Sequence, residues 1–446
     1  MFERKITSQL ENWFNTKNNK KALIIKGLRQ IGKTTTVKEF CKNHYKNVVY
    51  INFLFDHEVK EYFNDDLNVD KIIMLLSAKF TKVNFVPYET VLIFDEIQEC
   101  ANARTSLKPF VEDGRYDVIA TGSMIGLRGY NQKQIRSIPV GFETIIEMKP
   151  MDFEEFLWAT GVKKDVISYL KECFIKKEKI NDSINKLMMD YFKEYICVGG
   201  LPDIVKTFVD TKNMKLVRDN QISLLNSFKD DFGKHLNENE EAIFNNTELQ
   251  KIMEVYDSIP NQLAKENKKF VYNEIKKNAK SREYLSPIIW LEEYGLIHRC
   301  YRLNNLELPL SGYKEKDVFK IYVSDTGLFM AMLDEDVYSN ILTDNLTVYK
   351  GAIYENVIAD AFSKNYKKLY YYSKASGLEL DFVTTYNNEL TVIEVKAKNS
   401  KTKSLKEVLT NKDKYKVTSN FKLINGNIGF SDIINTIPLY MGFLIK

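Results

Sequence analysis

Residues Gly27 to Thr34 read Gly-Leu-Arg-Gln-Ile-Gly-Lys-Thr and satisfy G-x-x-x-x-G-K-[ST] without a mismatch. Such a loop demands a strand before it and a helix after it. Ala22-Leu23-Ile24-Ile25 is a short apolar run suited to a buried strand, and Thr35 to Lys42 has Val37 and Cys41 at helical spacing. A glycine turn between strand and helix leaves backbone N–H groups facing a concavity at the positive end of the helix dipole, which suits a phosphate chain. Lys33 would reach the β and γ phosphates, and Thr34 would ligate Mg²⁺. Gly27, Arg29, Gln30, Ile31, Gly32 and Thr35 would complete the cradle. The expected ligand is ATP with Mg²⁺.

A second segment, Val91-Leu92-Ile93-Phe94-Asp95-Glu96, is a buried strand ending in two acids. Parallel α/β sheets bind ligands at the carboxyl ends of their strands. Asp95 would therefore lie near the loop and hold Mg²⁺ through water, and Glu96 would polarise the attacking water. The adjacent acid separates a hydrolase from a kinase-like or purely binding site.

At 446 residues the chain exceeds one core, and its 44% apolar and 13% aromatic content excludes a disordered protein. No apolar run approaches the ~18 residues that span a bilayer. Met1-Phe2-Glu3-Arg4-Lys5 lacks a secretory segment, so a cytoplasmic protein without membrane contact is expected. Cys41, Cys100, Cys173, Cys197 and Cys300 have no pairing or metal-type spacing and read as reduced thiols. The net charge of +4 says little about partners, but only ten arginines occur, none beyond Arg302. Each arginine is thus informative, since planar bidentate phosphate contacts need one.

Taken in order, Ile6, Leu10 and Phe14 mark an amphipathic helix. Strands are expected over Val48–Phe53 and Tyr116–Thr121, and helices over Val69–Phe80 and Leu107–Val111. Alternation of this kind implies a parallel three-layer α/β domain. Thr121 and Ser123, at the end of the last of these strands, either sense the γ-phosphate or form a plain turn. One further strand is expected near Ile145–Met148. Residues 152 to about 231 turn helical, broken at Gly199-Gly200-Leu201-Pro202, and would form a lid. Three helical stretches from Leu249, Tyr272 and Ser281, then the alternating run Leu296–Leu303, outline a winged helix. Lys276, Lys277, Lys280 and Arg282 would meet DNA there, or are solvated lysines and arginine on a scaffold. Ser324-Asp325-Thr326-Gly327-Leu328 reads as a helix cap.

The last hundred residues hold a second constellation. Ala352–Phe362 is helical and contains Glu355, and Leu369–Tyr372 is a strand. Glu379–Thr385 and Leu390–Lys396 form a hairpin about Asn387-Asn388. That turn sets Tyr386 against Glu389, Phe382 against Ile393, Asp381 against Glu394 and Glu379 against Lys396. Leu380, Phe382, Ile393 and Val395 would share the core face. Opposed like charges are destabilising, so Asp381 and Glu394 call for a cation. With Glu355 they suit Mg²⁺ or Mn²⁺. Lys396 would orient water or stabilise a phosphorane-like transition state. The alternative is a solvated face in which Lys396 bridges Glu379. Lys398, Lys401, Lys403 and Lys406 would track a phosphate backbone or are simply surface.

On these residues the chain resembles the prokaryotic AAA-type ATPases with a poorly characterised C-terminal domain. The carriers are Gly27–Thr34, Asp95-Glu96-Ile97-Gln98, Ala120-Thr121-Gly122-Ser123 and Pro150-Met151-Asp152-Phe153-Glu154-Glu155-Phe156-Leu157. Gly199–Pro202, Asp325–Leu328 and Leu380-Asp381-Phe382…Glu394-Val395-Lys396 also look like family signatures. The end region is similar to the PD-(D/E)xK restriction-endonuclease-like superfamily. That resemblance assigns Glu355, Asp381 and Glu394 to metal, and Asp381, Glu394 and Lys396 to catalysis. Where many relatives carry Gly-Arg, this chain has Gly141-Phe142; if that arginine is a finger in relatives, either Arg136 or Arg128 substitutes for it or hydrolysis is slow.

The expected fold class is α/β. It comprises an AAA-type P-loop core (1–160), a helical lid (161–236), a winged-helix-like domain (237–345) and a PD-(D/E)xK nuclease-like domain (346–446). The leading expectation is an ATPase coupled to a metal-dependent endonuclease acting on duplex or junction DNA, with a homo-oligomer in view. The alternative is a nucleotide-dependent switch in signalling or defence whose C-terminal domain binds a partner without cleaving. A third, a translocating motor on DNA, requires a ring.

Overall fold

The computed structural model describes residues 2–123, 139–232, 246–346, 349–397, 402–431 and 433–446. The chain forms two compact units, one built on Glu3–Lys149 and the other on Pro150–Asp231 together with Asn246–Lys446.

The first unit runs α1 (Ile6–Phe14), β1 (Ala22–Lys26), α2 (Lys33–His44), β2 (Asn47–Asn52), α3 (His57–Glu61), α4 (Val69–Lys79), β3 (Thr90–Asp95), α5 (Ala101–Thr105), α6 (Leu107–Asp113), β4 (Asp117–Gly122) and β5 (Glu143–Glu147). The sheet order is β2-β3-β4-β1-β5, and every pair is parallel. Strands covered on both faces read as unbroken apolar runs. Accordingly, Val91, Leu92, Ile93 and Phe94 are all buried. On one face Phe94 meets Phe53, Phe63 and Phe110 edge-on, with centroids 5.5–6.1 Å apart. Truncating one such ring to alanine costs roughly 3–5 kcal/mol. Register then positions the site. Asn52 pairs with Asp95 and Ile25 with Thr121, so the carboxyl ends of four strands finish level beside Gly27.

The second unit begins with α7 (Phe153–Ala159), opened by a reciprocal capping box between Asp152 and Glu155. It continues with α8 (Lys164–Lys176), α9 (Asp182–Val198), α10 (Pro202–Thr211), α11 (Met214–Phe232), α12 (Asn246–Leu263), α13 (Ser281–Tyr294), β6 (Ile297–Leu303), β7 (Lys314–Val323), α14 (Thr326–Ala331), α15 (Asp336–Leu342), α16 (Lys350–Lys364), β8 (Tyr370–Ser373), β9 (Glu379–Tyr386), β10 (Glu389–Lys396), α17 (Lys403–Thr410), β11 (Ser419–Ile424), β12 (Gly429–Ser431) and β13 (Ile434–Pro438). Its eight strands form one mixed sheet in the order β12-β13-β11-β10-β9-β8-β6-β7.

Two features differ from the sequence expectation. The helix expected from Tyr272 is a single 3₁₀ turn, Tyr272–Glu274, with left-handed Asn278 (φ 66°) four residues on. The antiparallel pair β6–β7 stands where a wing was expected, but β6 also pairs with β8, Tyr301 against Tyr370 and Leu303 against Tyr372. One sheet thus runs through the boundary expected at 345/346. The helices expected as a lid, α8 to α11, lie within this unit up to Asp231. The segment 233–245, around the expected boundary at 236/237, lies outside the described residues.

The expected cap is present and does more. Asp325 accepts the Leu328 N–H (3.2 Å) and also the Gly200 N–H (2.7 Å). A Cβ on Gly200 would lie 2.0 Å from the Met151 carbonyl, and one on Gly327 2.3 Å from the Val198 carbonyl. Lys364 joins the same knot, donating to Asp360 (2.7 Å), Tyr195 Oη (2.9 Å) and the Met151 carbonyl (3.1 Å). The two glycine motifs are therefore places of close backbone approach. No helix among the described residues is long and apolar enough to cross a membrane. The five cysteines are free and buried.

Candidate functional site

The loop from Gly27 is built so that only glycine fits its first position, where a Cβ would meet the Met148 carbonyl at 2.4 Å. Gln30 (φ 61°) and Gly32 (φ 85°) take left-handed conformations on either side of Ile31. Alternation of this kind turns successive N–H groups toward one side, an anion-binding concavity at the start of α2. Lys33 is 7% exposed, and its ammonium donates to the carbonyls of Gly27 (3.0 Å) and Leu28 (2.9 Å). Burial lowers its pKa to about 8, against the opposing pull of Glu96 and Asp95.

Asp95 ends β3 as a hub. Its carboxylate accepts from Thr34 Oγ1 (3.0 and 3.2 Å), Tyr50 Oη (2.6 Å), Asn52 Nδ2 (3.3 Å) and Thr121 Oγ1. Thr121, wholly buried, is thus tied to the carboxylate. Ser123 lies buried just past β4. Glu96 takes φ 52°, a left-handed conformation that is uncommon without glycine, and its Oε2 accepts Gln98 Nε2 at 2.5 Å. The fit to Mg²⁺ is good. One hydroxyl and one carboxylate share a wall, and Mg²⁺ beside phosphates needs little more from the protein because water and phosphate fill its octahedron.

Arg136 and Arg128 lie outside the described residues, as do Lys398 and Lys401. Sequence reasoning missed Arg4, Tyr50 and Asn52. Arg4 donates to the Ile31 carbonyl inside the loop (3.0 Å) and to the Lys149 carbonyl (2.6 Å). An arginine among mostly lysines was the available signal. Tyr50 and Asn52 alternate along β2 and carried no signal of their own.

In the second unit the β9–β10 register follows the expectation from Tyr386–Glu389 to Phe382–Ile393, with Asn387 (φ 50°) and Asn388 (φ 63°) making the turn. The expected core face does not hold. Tyr370 pairs with Val383 but Tyr372 with Leu380, so two residues of β8 oppose three of β9, a bulge. Leu380 consequently joins Val383, Leu390 and Val392 on one side, whereas Phe382 meets Tyr322 and Phe362 on the other.

The acids on these strands are buried: Asp381 is 7% and Glu394 5% exposed. Asp381 Oδ2 accepts the Val395 N–H (2.8 Å). Lys396 sits 2.7 Å from Glu394 Oε1 and 3.7 Å from Asp381 Oδ2. Glu379 pairs with Lys320 of β7 (2.7 Å), where the sequence placed it against Lys396. Glu355 of α16 is held by Lys268 (2.5 Å) and Tyr322 Oη (3.0 Å), with Lys320 at 3.7 Å. Sequence reasoning missed Lys268 and Lys320. A lysine inside the apolar run Phe319-Lys320-Ile321-Tyr322-Val323 was the signal for the second.

Burial and Asp381 push Glu394 up to about 7. Burial and Glu355 also raise Asp381. Burial opposes the charge of Glu355 too, but Lys320 and Lys268 outweigh it and hold that carboxyl low. Glu355, Asp381 and Glu394 thus share one electrostatic cluster. Among the described residues, however, no three His, Cys, Asp or Glu side chains converge as a metal-holding group. Lys268, Lys320 and Lys396 lie against the carboxylates of the expected Mg²⁺ or Mn²⁺ set and supply counter-charge to them.

The first unit has the sheet order, loop and strand-end acids of a P-loop nucleotide-binding domain. Residues 19–157 match the family model of the AAA domain, so this region is AAA ATPase-like in sequence as well. Residues 189–339 match a domain of unknown function (DUF8612), and residues 350–441 another (DUF4143). No curated protein matches the chain. Among solved structures it is similar to the ORC2 protein of Aeropyrum pernix in ADPNP–ADP complexes, at 12% identity, 77% of this chain, 94% of that chain and TM-score 0.38. It is also similar to Cdc6p from Pyrobaculum aerophilum, at 12% identity, 76% of this chain, 94% of that chain and TM-score 0.24. Both scores lie below 0.5, and neither likeness bears on function.

Proposed function

We propose that the protein binds ATP with Mg²⁺ at the Gly27–Thr35 loop, hydrolyses it, and uses the nucleotide state to control what its second unit binds. The observation that carries this reading is the Thr34–Asp95 pair across the loop, with Glu96 next in the chain. Gly27, Arg29, Gln30, Ile31, Gly32 and Thr35 would cradle the phosphates, and Lys33 would neutralise the β and γ groups. Mg²⁺, held by Thr34 and through water by Asp95, would spread the charge of the phosphate oxygens. Glu96 would orient and polarise the attacking water. Thr121 would position Asp95, Ser123 would sense the γ-phosphate, and Arg136 or Arg128 would act as the finger, in a homo-oligomer from a neighbouring copy.

The decisive experiment is calorimetry with Mg-ATP alongside a phosphate-release assay. Lys33→Ala should abolish the binding heat, and Glu96→Gln should keep it while cutting turnover by about 10²-fold or more. A folded wild-type protein that shows no heat beyond dilution overturns the reading.

For the second unit, the lysine-neutralised carboxylates favour binding without cleavage. DNA, duplex or junction, is the partner proposed, met by Lys276, Lys277, Lys280 and Arg282 before and at the start of α13. A second reading, metal-dependent DNA cleavage by Asp381, Glu394 and Lys396 with Glu355 as a further ligand, draws on one observation. Among the described residues Glu394 Oε2 is buried without a hydrogen-bond partner, beside Lys396. Incubation with single-stranded, duplex and junction DNA in Mg²⁺ or Mn²⁺ separates the two. Cleavage lost in Lys396→Ala supports the second, and nucleotide-dependent binding without cleavage the first. The four-part domain division and a cytoplasmic setting belong to the same proposal.

A further inference from the structure

The cluster between α16 and the β9–β10 hairpin holds four carboxylates (Glu355, Glu379, Asp381 and Glu394) and four ammonium groups: Lys268, Lys320, Lys396 and Lys422, the last in register with Glu394 on β11. Lys320 is 1% exposed in the middle of β7, and Lys396 ends β10. Both are fixed by the sheet. Lys268 differs, since it comes from the loop between α12 and the 3₁₀ turn at Tyr272. Its side chain is 14% exposed, and its neighbours Asn267 and Lys269 are exposed.

That loop forms one wall of a cleft of about 550 Å³, which Glu266, Asn267, Lys269, Arg302, Tyr371 and Glu379 help to line. Glu379 connects the cleft to the cluster through Lys320. Of the four acids Glu379 reaches this cleft, whose wall includes the chain neighbours of Lys268. Without Lys268 the ammonium groups would be outnumbered by the carboxylates, and Glu355 would lose its closest cation. A buried acceptor, Glu394 Oε2, already lacks a partner among the described residues.

We infer that Lys268 is a resident counter-ion that takes the place of a divalent cation at Glu355 and closes this cluster to metal. The inference deepens the reading that the second unit binds without cutting. It explains why carboxylates arranged so much like a metal site do not converge. It also makes the loop of Lys268 the element whose displacement would open the site.

The test uses the full chain free of nucleotide, titrated with Mn²⁺ while free Mn²⁺ is followed by electron paramagnetic resonance. Wild type should show no Mn²⁺ uptake that Asp381→Asn abolishes. Lys268→Ala should gain one equivalent, at least about tenfold tighter than any wild-type uptake, and Lys268→Ala/Asp381→Asn should lose it. Lys268→Met, which keeps the alkyl stem, repeats the test should the alanine variant unfold. Wild-type uptake of one equivalent that depends on Asp381 overturns the inference, whatever the variants do. So does a folded Lys268 variant that gains none. Failure of ATP binding would leave this comparison untouched, because no nucleotide is present.

Discussion

The Thr34 hydroxyl lies 3.0 Å from Oδ1 of Asp95, although the two residues are 61 positions apart. The parallel ladder brings them together, because β4 lies between β1 and β3 and all three strands end level. Two hard oxygens thus face one another across a hydrogen bond, on the wall where the proposed Mg²⁺ would sit.

Asp95→Asn keeps the shape of this wall and removes its charge. ATP affinity measured in EDTA should stay within about twofold, while the gain in affinity on adding Mg²⁺ should disappear. Turnover should fall by about 10²–10³-fold, the usual effect of losing one electrostatic stabiliser. Paired calorimetric titrations with and without Mg²⁺ check this. An undiminished Mg²⁺ effect in the variant would remove Asp95 from the metal site.

Arg4 touches the loop from outside. Its two bonds, to the Ile31 and Lys149 carbonyls, are charged donors to neutral acceptors, worth about 1.5–3 kcal/mol each when buried. Arg4→Ala should raise KM for ATP about three- to tenfold by loosening the loop, and leave kcat within about twofold. Arg4→Lys should recover part of the loss. A fall in kcat at unchanged KM would place Arg4 in the chemistry instead.

Much of this was legible in the residues. The loop, the β3 acids and the hairpin register each follow from local rules, a fixed motif or a two-residue turn, and each is found where those rules put it. What could not be read was set by distant segments. The β9 bulge answers β8, so Leu380 changed faces. Lys320 arrives from β7 and Lys268 from a loop, and neither has a sequence relation to Glu355. The helix expected from Tyr272 is a single 3₁₀ turn, Tyr272–Glu274. Gly200 and Gly327 were visible as motifs, but their reason, the carbonyls of Met151 and Val198, was not.

Asp325 carries the polar knot of the second unit. Its carboxylate accepts from Gly200 and Leu328 and lies 3.8 Å from Lys364, all of them buried. Asp325→Ala leaves two buried N–H groups without their acceptor and weakens the counter-charge of Lys364, so unfolding of this unit should become easier by about 3–5 kcal/mol. Asp325→Asn should cost less, since its carbonyl oxygen can still accept. Denaturant titration by circular dichroism reads the loss. An Asp325→Ala protein as stable as wild type would mean that the knot is relaxed by water.

Glu394 gives the second unit a pH dependence of definite sign. Burial and Asp381 hold its carboxyl near 7, above the ordinary value of 4.5. Between these values the folded state keeps a proton that the unfolded chain has released, so stability falls as pH rises through the window and the full penalty applies above about 7. Asp381, also raised, acts in the same direction. Lys396, raised above 10.5, loses its contribution only as pH passes its folded value, far above this window. Glu355, held low, acts below 4.5. Glu394→Gln removes the titration while keeping an acceptor for Lys396, which is 30% exposed and can also turn to water. Wild type should therefore lose several degrees of Tm between about pH 5.5 and pH 8, and the variant distinctly less. Scanning calorimetry of both proteins at the two pH values makes the comparison. Equal losses in the two would show that Glu394 is ionised throughout, with its charge met by Lys396 alone.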